Sequence, residues 1–279
     1  MVVAWSACYE PSEKQQMPTR SEPVPSRPPF VLVANGRVGL DFLAQMGSRG
    51  SPPVLVVLNE RAKQREAERI REEAEALGVQ VREWSPETRE RMIEVLRTRA
   101  NAWIVSIYFG HILDETVLDA VQGRAVNLHA SLLPWCRGVH TNVYPFIEHC
   151  PAGVTLHVMT RGVDRGGILA QREVPLQPWD TGQTLYQKLE DEGLGLLLES
   201  WPNVVLASWP GRPQPVGGSE HKTSELATLD TYLLDGREEA RAFFDLLRAR
   251  TFPPHAGLRV IIDGRVVEAT VQLKQIDDE

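Results

Sequence analysis

Residues 30–58 read FVLVANGRVGLDFLAQMGSRGSPPVLVVL. Phe30–Ala34 is an unbroken apolar run, the pattern of a strand buried on both faces. Asn35-Gly36 ends it, Val38–Met46 reads as a helix, and Pro53–Leu58 reads as a second buried strand. The alternation continues. The sequence predicts a long helix over Glu60–Leu77, crowded with Arg, Lys and Glu, and a short strand over Val79–Glu83. A helix over Pro86–Thr98, a strand over Ala102–Tyr108, a helix over Glu115–Val121 and a strand over Ala125–His129 follow. Strands alternating with helices build a parallel sheet covered on both faces. Right-handed crossovers make such a sheet Rossmann-like. The expected fold class is therefore α/β with a mainly parallel sheet.

Two further strands are expected over Gly153–Met159 and Ile168–Val174, separated by a glycine-rich loop. Residues 180–208 read as mostly helical, opened by Asp180-Thr181, a good N-cap pair. Residues 209–219 carry three prolines and three glycines, a linker composition. The rest forms a small α+β segment. It holds a helix near Glu238–Arg250 and a β pair, Arg259–Ile262 with Val266–Leu273, joined by the strong hairpin signal Asp263-Gly264. At the other end, residues 1–29 hold six prolines among Ser, Glu and Gln. Such a stretch cannot bury enough apolar surface to order itself, so a flexible tail is expected. The chain divides into residues 1–29, 30–212 and 213–279.

The 279 residues are 42% hydrophobic and 24% charged, an ordinary globular composition. A chain of this length buries most of its apolar surface without needing disulfides or metals. Its net charge of −7 argues against a general nucleic-acid binder, whose affinity comes from Lys and Arg on phosphates. Three cysteines, Cys8, Cys136 and Cys150, are too few and too odd for a disulfide framework and fit a reducing compartment. No apolar run approaches the ~20 residues of a membrane helix. The N-terminus has no positive region before its apolar stretch, unlike a signal peptide. A soluble, cytoplasmic protein with no membrane partner is expected.

Several motifs fall short. Asn35-Gly36-Arg37-Val38-Gly39 has two glycines where a dinucleotide fingerprint needs three, so it reads as a tight turn and implies no nicotinamide or flavin. Cys136, His140, His149 and Cys150 could be drawn as a zinc set, but adjacent ligands rarely close a tetrahedron and no C-x2-C pair exists. No metal is expected. There is no G-x-S-x-G elbow for serine acyl chemistry. Residues 125–134, AVNLHASLLP, are different. Asn127 and His129 stand two apart on a strand, so both project from the same face. They sit at a carboxyl end, where ligands bind in such sheets. Asp164 lies further on, in the glycine-rich loop GVDRGG of residues 162–167. Glycines there let backbone approach a ligand closely.

At these residues the chain resembles the folate-dependent formyltransferases. The family pattern N-x-H-x-S-L-L-P-x-x-R-G stands here as Asn127 to Gly138, G-V-T-x-H as Gly153 to His157, and G-x-D-x-G as Gly162 to Gly166, before a strand that ends Ala170-Gln171. The match runs over residues 30–207. Within the family the chain is most similar to enzymes that act on nucleotide-linked amino sugars. Ser106 to Tyr108 with Ile112-Leu113, the segment Gly138 to Tyr144, and the run Leu247 to His255 carry that likeness. Three positions depart from the pattern. Thr141 replaces a common proline, Tyr144 a tryptophan, and Arg165 a small residue, where its charge could lower the pKa of Asp164 or crowd the folate.

The resemblance implies formyl transfer from N10-formyltetrahydrofolate to a primary amine without a metal. It implies His129 as base, Asn127 as oxyanion donor, and Asp164 as orienter and proton relay. It implies a folate pocket of Tyr108, Phe109, Gly110, His111, Ile112, Leu113, Val163 and Asp164. Substrate contacts would come from Arg137, His140, Asn142, Tyr144 and Lys222. The core would be residues 30–212, with residues 213–279 forming a homodimer contact, because an isolated hairpin is marginal in water. The rival acceptors are methionyl-tRNA, another small amine, water, or glycinamide ribonucleotide, and a non-catalytic ligand-binding protein is a further alternative. Residues 213–279 hold 8 basic against 12 acidic side chains, a poor surface for tRNA phosphates.

Overall fold

The computed structural model describes residues 28–201, 211–233 and 239–275. The predicted tail at 1–27 and the expected helical stretch at 202–208 lie outside these residues. A seven-stranded sheet runs through the core. In chain order its strands are β1 (Phe30–Ala34), β2 (Leu55–Leu58), β3 (Val81–Glu83), β4 (Trp103–Ile107) and β5 (Ala125–His129), followed by two antiparallel ones described below. Strands β1 to β5 pair in parallel, in the spatial order β3-β2-β1-β4-β5.

Alternation along β1 explains its unbroken apolar run. Phe30, Leu32 and Ala34 enter one core cluster, and Val31 and Val33 the other. Helix α1 (Gly36–Ser48) brings Val38, Phe42, Leu43 and Met46 to the first face. The second face is covered by Met92, Ile93, Val95 and Leu96 of the helix Pro86–Arg97, with Val117 and Leu118 of the helix Glu115–Ala120. The β1–α1 turn is the plain strand-to-helix turn that the sequence suggests. Gly36 has φ +72, and a Cβ on Gly39 would come within 2.8 Å of Ala34 Cβ. Glycine permits both the left-handed backbone and the close helix–strand approach.

The long helix expected over Glu60–Leu77 is broken. Residues 61–63 make a single tight turn, and the helix proper is Ala67–Ala76. The cause is tertiary. Asn35 Nδ2 donates to Lys63 O at 3.0 Å, and Asn35 Oδ1 accepts from Arg65 N at 2.7 Å. Those bonds hold residues 63–65 against the β1 end, and Glu66 turns through a left-handed φ of 55.

Beyond β5 the direction changes. Strands β7 (Gly153–Val158) and β8 (Ile168–Glu173) pair antiparallel, β7 with β5 and β8 with β7. The helix Gly182–Ser200 begins at Thr181, whose hydroxyl accepts from Thr184 N while Thr184 Oγ1 accepts from Thr181 N. Its Leu185, Leu189, Leu196 and Leu197 cover the first face.

Residues 211–219 do not behave as a free linker. Ile168 and Arg212 exchange backbone hydrogen bonds. Strand β6 (Arg137–Gly138), which lies between β5 and β7 in the chain, pairs in parallel with Glu220–His221. The chain then forms a three-stranded sheet, Thr231–Leu233 beside Leu258–Ile262 beside Arg265–Ala269, with the last two joined as the expected hairpin. The helix Ala240–Ala249 packs Leu246 against Leu258 and Val260. The strand Thr231–Leu233 has no sequence signal, because only its parallel pairing to Leu258–Ile262 defines it.

Candidate active site

The carboxyl ends of β1, β2, β4 and β5 open into one cavity of about 1170 Å³. Its wall holds the polar residues that the sequence places at strand ends. Asn127, on β5, is opposite His157 on β7, and His129 is opposite Thr155. The loop between β7 and β8 returns Asp164 to them in a left-handed backbone conformation, φ 50.

The hydrogen bonds assign each group its state. His129 Nε2 lies 3.0 Å from the carbonyl of Cys136, so Nε2 carries the proton and donates. Its Nδ1 is then the basic nitrogen, 3.5 Å from Asp164 Oδ2. Burial holds the His129 imidazole below its ordinary value, with Asp164 opposing, so it is neutral near pH 7. His157 Nδ1 donates to Val158 O at 2.8 Å, leaving Nε2 as an acceptor. Asn127 Nδ2 donates to that Nε2 at 3.2 Å and lies 3.5 Å from Asp164 Oδ1. Two acceptors around one amide end identify it as the nitrogen. Burial opposes the charge on Asp164. The positive charge that His129 and His157 carry when protonated, with the Gly138 N–H, outweighs that, and the carboxyl lies far below the usual carboxylate range. Gly138 N donates to Asp164 Oδ2 at 2.8 Å.

The arrangement is a neutral imidazole, an amide donor and a fixed carboxylate around one point. It can accept a proton, bind a developing oxyanion and stabilise an imidazolium.

The remaining residues singled out in the sequence fall into three groups. Tyr108, Phe109, Gly110, His111, Ile112, Leu113 and Val163 all line the cavity with Asn127, His129 and Asp164. Gly110 N donates to Asn59 Oδ1 at 2.9 Å, and the rings of Phe109 and His111 pack on Trp84. Tyr108 buries its hydroxyl without a hydrogen-bond partner among the described residues, and burial raises its pKa. His140, Asn142 and Lys222 line the cavity too. Asn142 Nδ2 is held by Gly182 O at 3.0 Å, and burial lowers the pKa of His140.

Arg137 and Tyr144 are not in the cavity lining, which departs from the placement expected of substrate contacts. Arg137 is buried and donates to Gln214 Oε1 at 2.8 and 3.1 Å. Gln214 Nε2 in turn holds the carbonyls of Asp164 and Gly166, at 2.6 and 2.9 Å. Arg137 therefore braces the loop that carries Asp164. Tyr144 is buried and stacks on His221, with ring centroids 3.3 Å apart. Arg165 neither crowds the cavity nor sets the Asp164 charge; its guanidinium pairs with Glu220.

Sequence reasoning missed His157 as the group that orients Asn127, although its motif was in view. It also missed Asn59, Tyr186, Arg250 and Phe252 of the lining. Asn59 had a weak signal, a buried polar residue directly after a strand. The others are brought in from distant segments.

The fold is an α/β sheet with an amide–imidazole–carboxylate cluster at its strand ends. The formyl transferase family profile matches residues 32–200, and the chain belongs to that family. The methionyl-tRNA formyltransferase of Burkholderia ambifaria is 32% identical over 179 residues, which covers 63% of this chain and 53% of that protein. The chain thus spans about half the length of the curated relatives it matches. A sugar N-formyltransferase from a Shewanella species has a TM-score of 0.74 at 22% identity, covering 89% of this chain and 98% of that one. An N-formyltransferase from Helicobacter canadensis, solved in complex with folinic acid and dTDP-3-aminofucose, has a TM-score of 0.68 at 16% identity and covers 84% of each chain. At these identities the likeness is one of fold. It takes in more of the chain than the curated sequence match does.

Proposed function

We propose that this protein transfers a formyl group from N10-formyltetrahydrofolate to the primary amine of a nucleotide-linked amino sugar. The carrying observation is that Asn127, His129 and Asp164 meet in the wall of a single large cavity. That cavity is lined by the Tyr108–Leu113 loop and by His140, Asn142 and Lys222. Its volume, above the usual range of a site for one small molecule, suits two ligands held side by side. The formyl donor fits the loop of Tyr108 to Leu113, which offers backbone groups beside apolar and aromatic side chains. The acceptor fits the polar and basic residues.

The amine attacks the formyl carbon, and a C–N bond forms as the C=O pair moves to oxygen. Asn127 Nδ2 keeps one N–H on His157 and turns the other, which faces Asp164 at 3.5 Å, to that oxyanion. His129 Nδ1 takes the ammonium proton, and Asp164 stabilises the resulting imidazolium. Collapse restores C=O, breaks the bond to folate N10 and returns a proton to that nitrogen. No metal enters these steps. Holding both reactants in one cavity supplies the entropic part of the acceleration.

The acidic balance of residues 213–279 favours a small acceptor over tRNA. The same segment leaves Val266, Val267, Ile262 and Leu233 exposed on its small sheet. A second copy of the chain is the proposed cover.

The test is tetrahydrofolate release from N10-formyltetrahydrofolate with a panel of thymidine- and uridine-diphosphate amino sugars, with methionyl-tRNA, and without acceptor. Release with one amino sugar supports the proposal. Release with tRNA, or without any acceptor, overturns it in favour of those reactions.

A further inference from the structure

Cys136 supplies the carbonyl that accepts from His129, and its thiol lies 3.4 Å from that of Cys150. Glu148 joins the pair. Its carboxylate and the two sulfurs all lie within 4.8 Å of one another. Both thiols are buried. His221 approaches Glu148 from the C-terminal segment, its Nε2 2.8 Å from Oε1, and stands at the edge of the group formed by the carboxylate and the two thiols. His221 is only 9% exposed, and among the described residues its Nε2 has no properly directed hydrogen bond. Its other nitrogen, Nδ1, is 3.0 Å from Glu225 Oε2.

With Nδ1–H donating to Glu225, Nε2 keeps a lone pair that is buried beside Glu148 but not aligned with it. A cation at that nitrogen would satisfy it. Two thiols, a carboxylate and an imidazole are borderline-soft donors, which suit zinc and not the all-oxygen cages of calcium or magnesium. In a tetrahedron with Zn–S bonds of ~2.3 Å the two sulfurs stand ~3.8 Å apart, close to the spacing here. A histidine ligand commonly donates its second N–H to a carboxylate, the part Glu225 takes. The stacked ring of Tyr144 fixes the imidazole plane.

We infer that Cys136, Glu148, Cys150 and His221 bind a structural zinc ion. Binding releases the two thiol protons to solvent and leaves both sulfurs as thiolates. The ion joins three segments, the turn after β5, the turn before β7 and the C-terminal segment. Two groups near it reach the reaction centre, the Cys136 carbonyl on His129 and the Gly138 N–H on Asp164. His140 and His149, which the sequence also offered, take no part. His140 lines the cavity, and His149 faces Asp245 at 3.9 Å.

The test uses the reduced, full-length chain, freed of metal by a chelator and titrated separately with Zn²⁺ and Co²⁺. A single zinc per chain should survive gel filtration, and Co²⁺ should give thiolate-to-metal charge-transfer absorption. Cys150→Ser should weaken zinc binding by ~100-fold or more and remove that absorption. Should Cys150→Ser fail to fold, Glu225→Gln decides. It should weaken zinc by ~10–100-fold while keeping the thiolate band. No zinc on the wild-type chain overturns the inference, as does cobalt without a thiolate band. Undiminished affinity in both variants overturns it too. The readouts are metal content and absorption, so the outcome is independent of the formyl-transfer proposal.

Discussion

The two larger sheets of this molecule spend their side chains differently. Strands β1, β2 and β4 are buried at every position, with a core cluster on each face. In the three-stranded sheet only Leu258 and Val260 are fully buried, while all but the last residue of Arg265–Ala269 is exposed. A sheet covered on both sides fixes its strand ends rigidly, and the cluster of Asn127, His129 and Asp164 stands at those ends. A sheet covered on one side leaves an apolar surface, here Leu233, Ile262, Val266 and Val267. Position in the fold, more than residue type, separates the region proposed for chemistry from the region proposed for assembly.

The largest expected effect breaks the first region at its chemistry. His129→Ala or Asn127→Ala should cut turnover by ~10² or more while circular dichroism stays unchanged. Near-normal turnover in either purified variant removes the roles given to them.

Next comes the backbone that joins the two regions. Gly138 has φ +88, and a Cβ there would sit 2.2 Å from His221 O, on the parallel pair of β6 with Glu220–His221. Gly138→Ala should therefore lower stability by about 1–3 kcal/mol in urea unfolding. It should also lower activity, since the Gly138 N–H holds Asp164.

Acid should reveal the core's charge pattern. His129 is held below its ordinary value, so the unfolded chain takes up a proton that the folded chain refuses. Stability should begin to fall as pH drops below ~6.5, the unfolded imidazole value. The acid limb of kcat/KM should lie below that value as well. Asp164 has a depressed folded pKa. Its contribution is full above the unfolded carboxyl value of ~3.9 and is lost as pH falls from there. A midpoint of unfolding that is flat between pH 7 and pH 5 would contradict the His129 part.

The smallest energetic effect tests the second region. Val266→Asp on the exposed strand should change monomer stability by no more than ~0.5 kcal/mol. Light scattering should nonetheless show it as a monomer where the wild type is a dimer. A monomeric wild type at micromolar concentration would remove the assembly role.

Much of the core is legible in the sequence. Phe30–Ala34 and Trp103–Ile107 are apolar because both faces are buried, so their pattern is local and strong. Ala125–His129 has the bounds expected of it, because its polar pair interrupts an apolar run only where the strand reaches the cavity. The break in the Glu60–Leu77 helix is not legible. It depends on Asn35, which reaches residues 63 and 65 from the end of another strand. The linker composition of residues 209–219 is equally misleading, since proline and glycine describe a backbone's freedom and not what it touches. There Gln214 clamps the Asp164 loop and Ser219 accepts from Cys136 N.

The sequence by itself determined the alternation of strands and helices, the same-face pairing of Asn127 and His129, and the glycine-rich setting of Asp164. All three follow from spacing along the chain, which backbone geometry converts directly into direction. Only the tertiary structure decided that Arg137 braces the Asp164 loop instead of facing the cavity, that His157 sets the Asn127 amide, and that Cys136 and Cys150 meet beside Glu148 and His221. Those contacts join residues whose separation in sequence carries no periodicity, so they exist only once the sheet and its C-terminal segment have closed on each other.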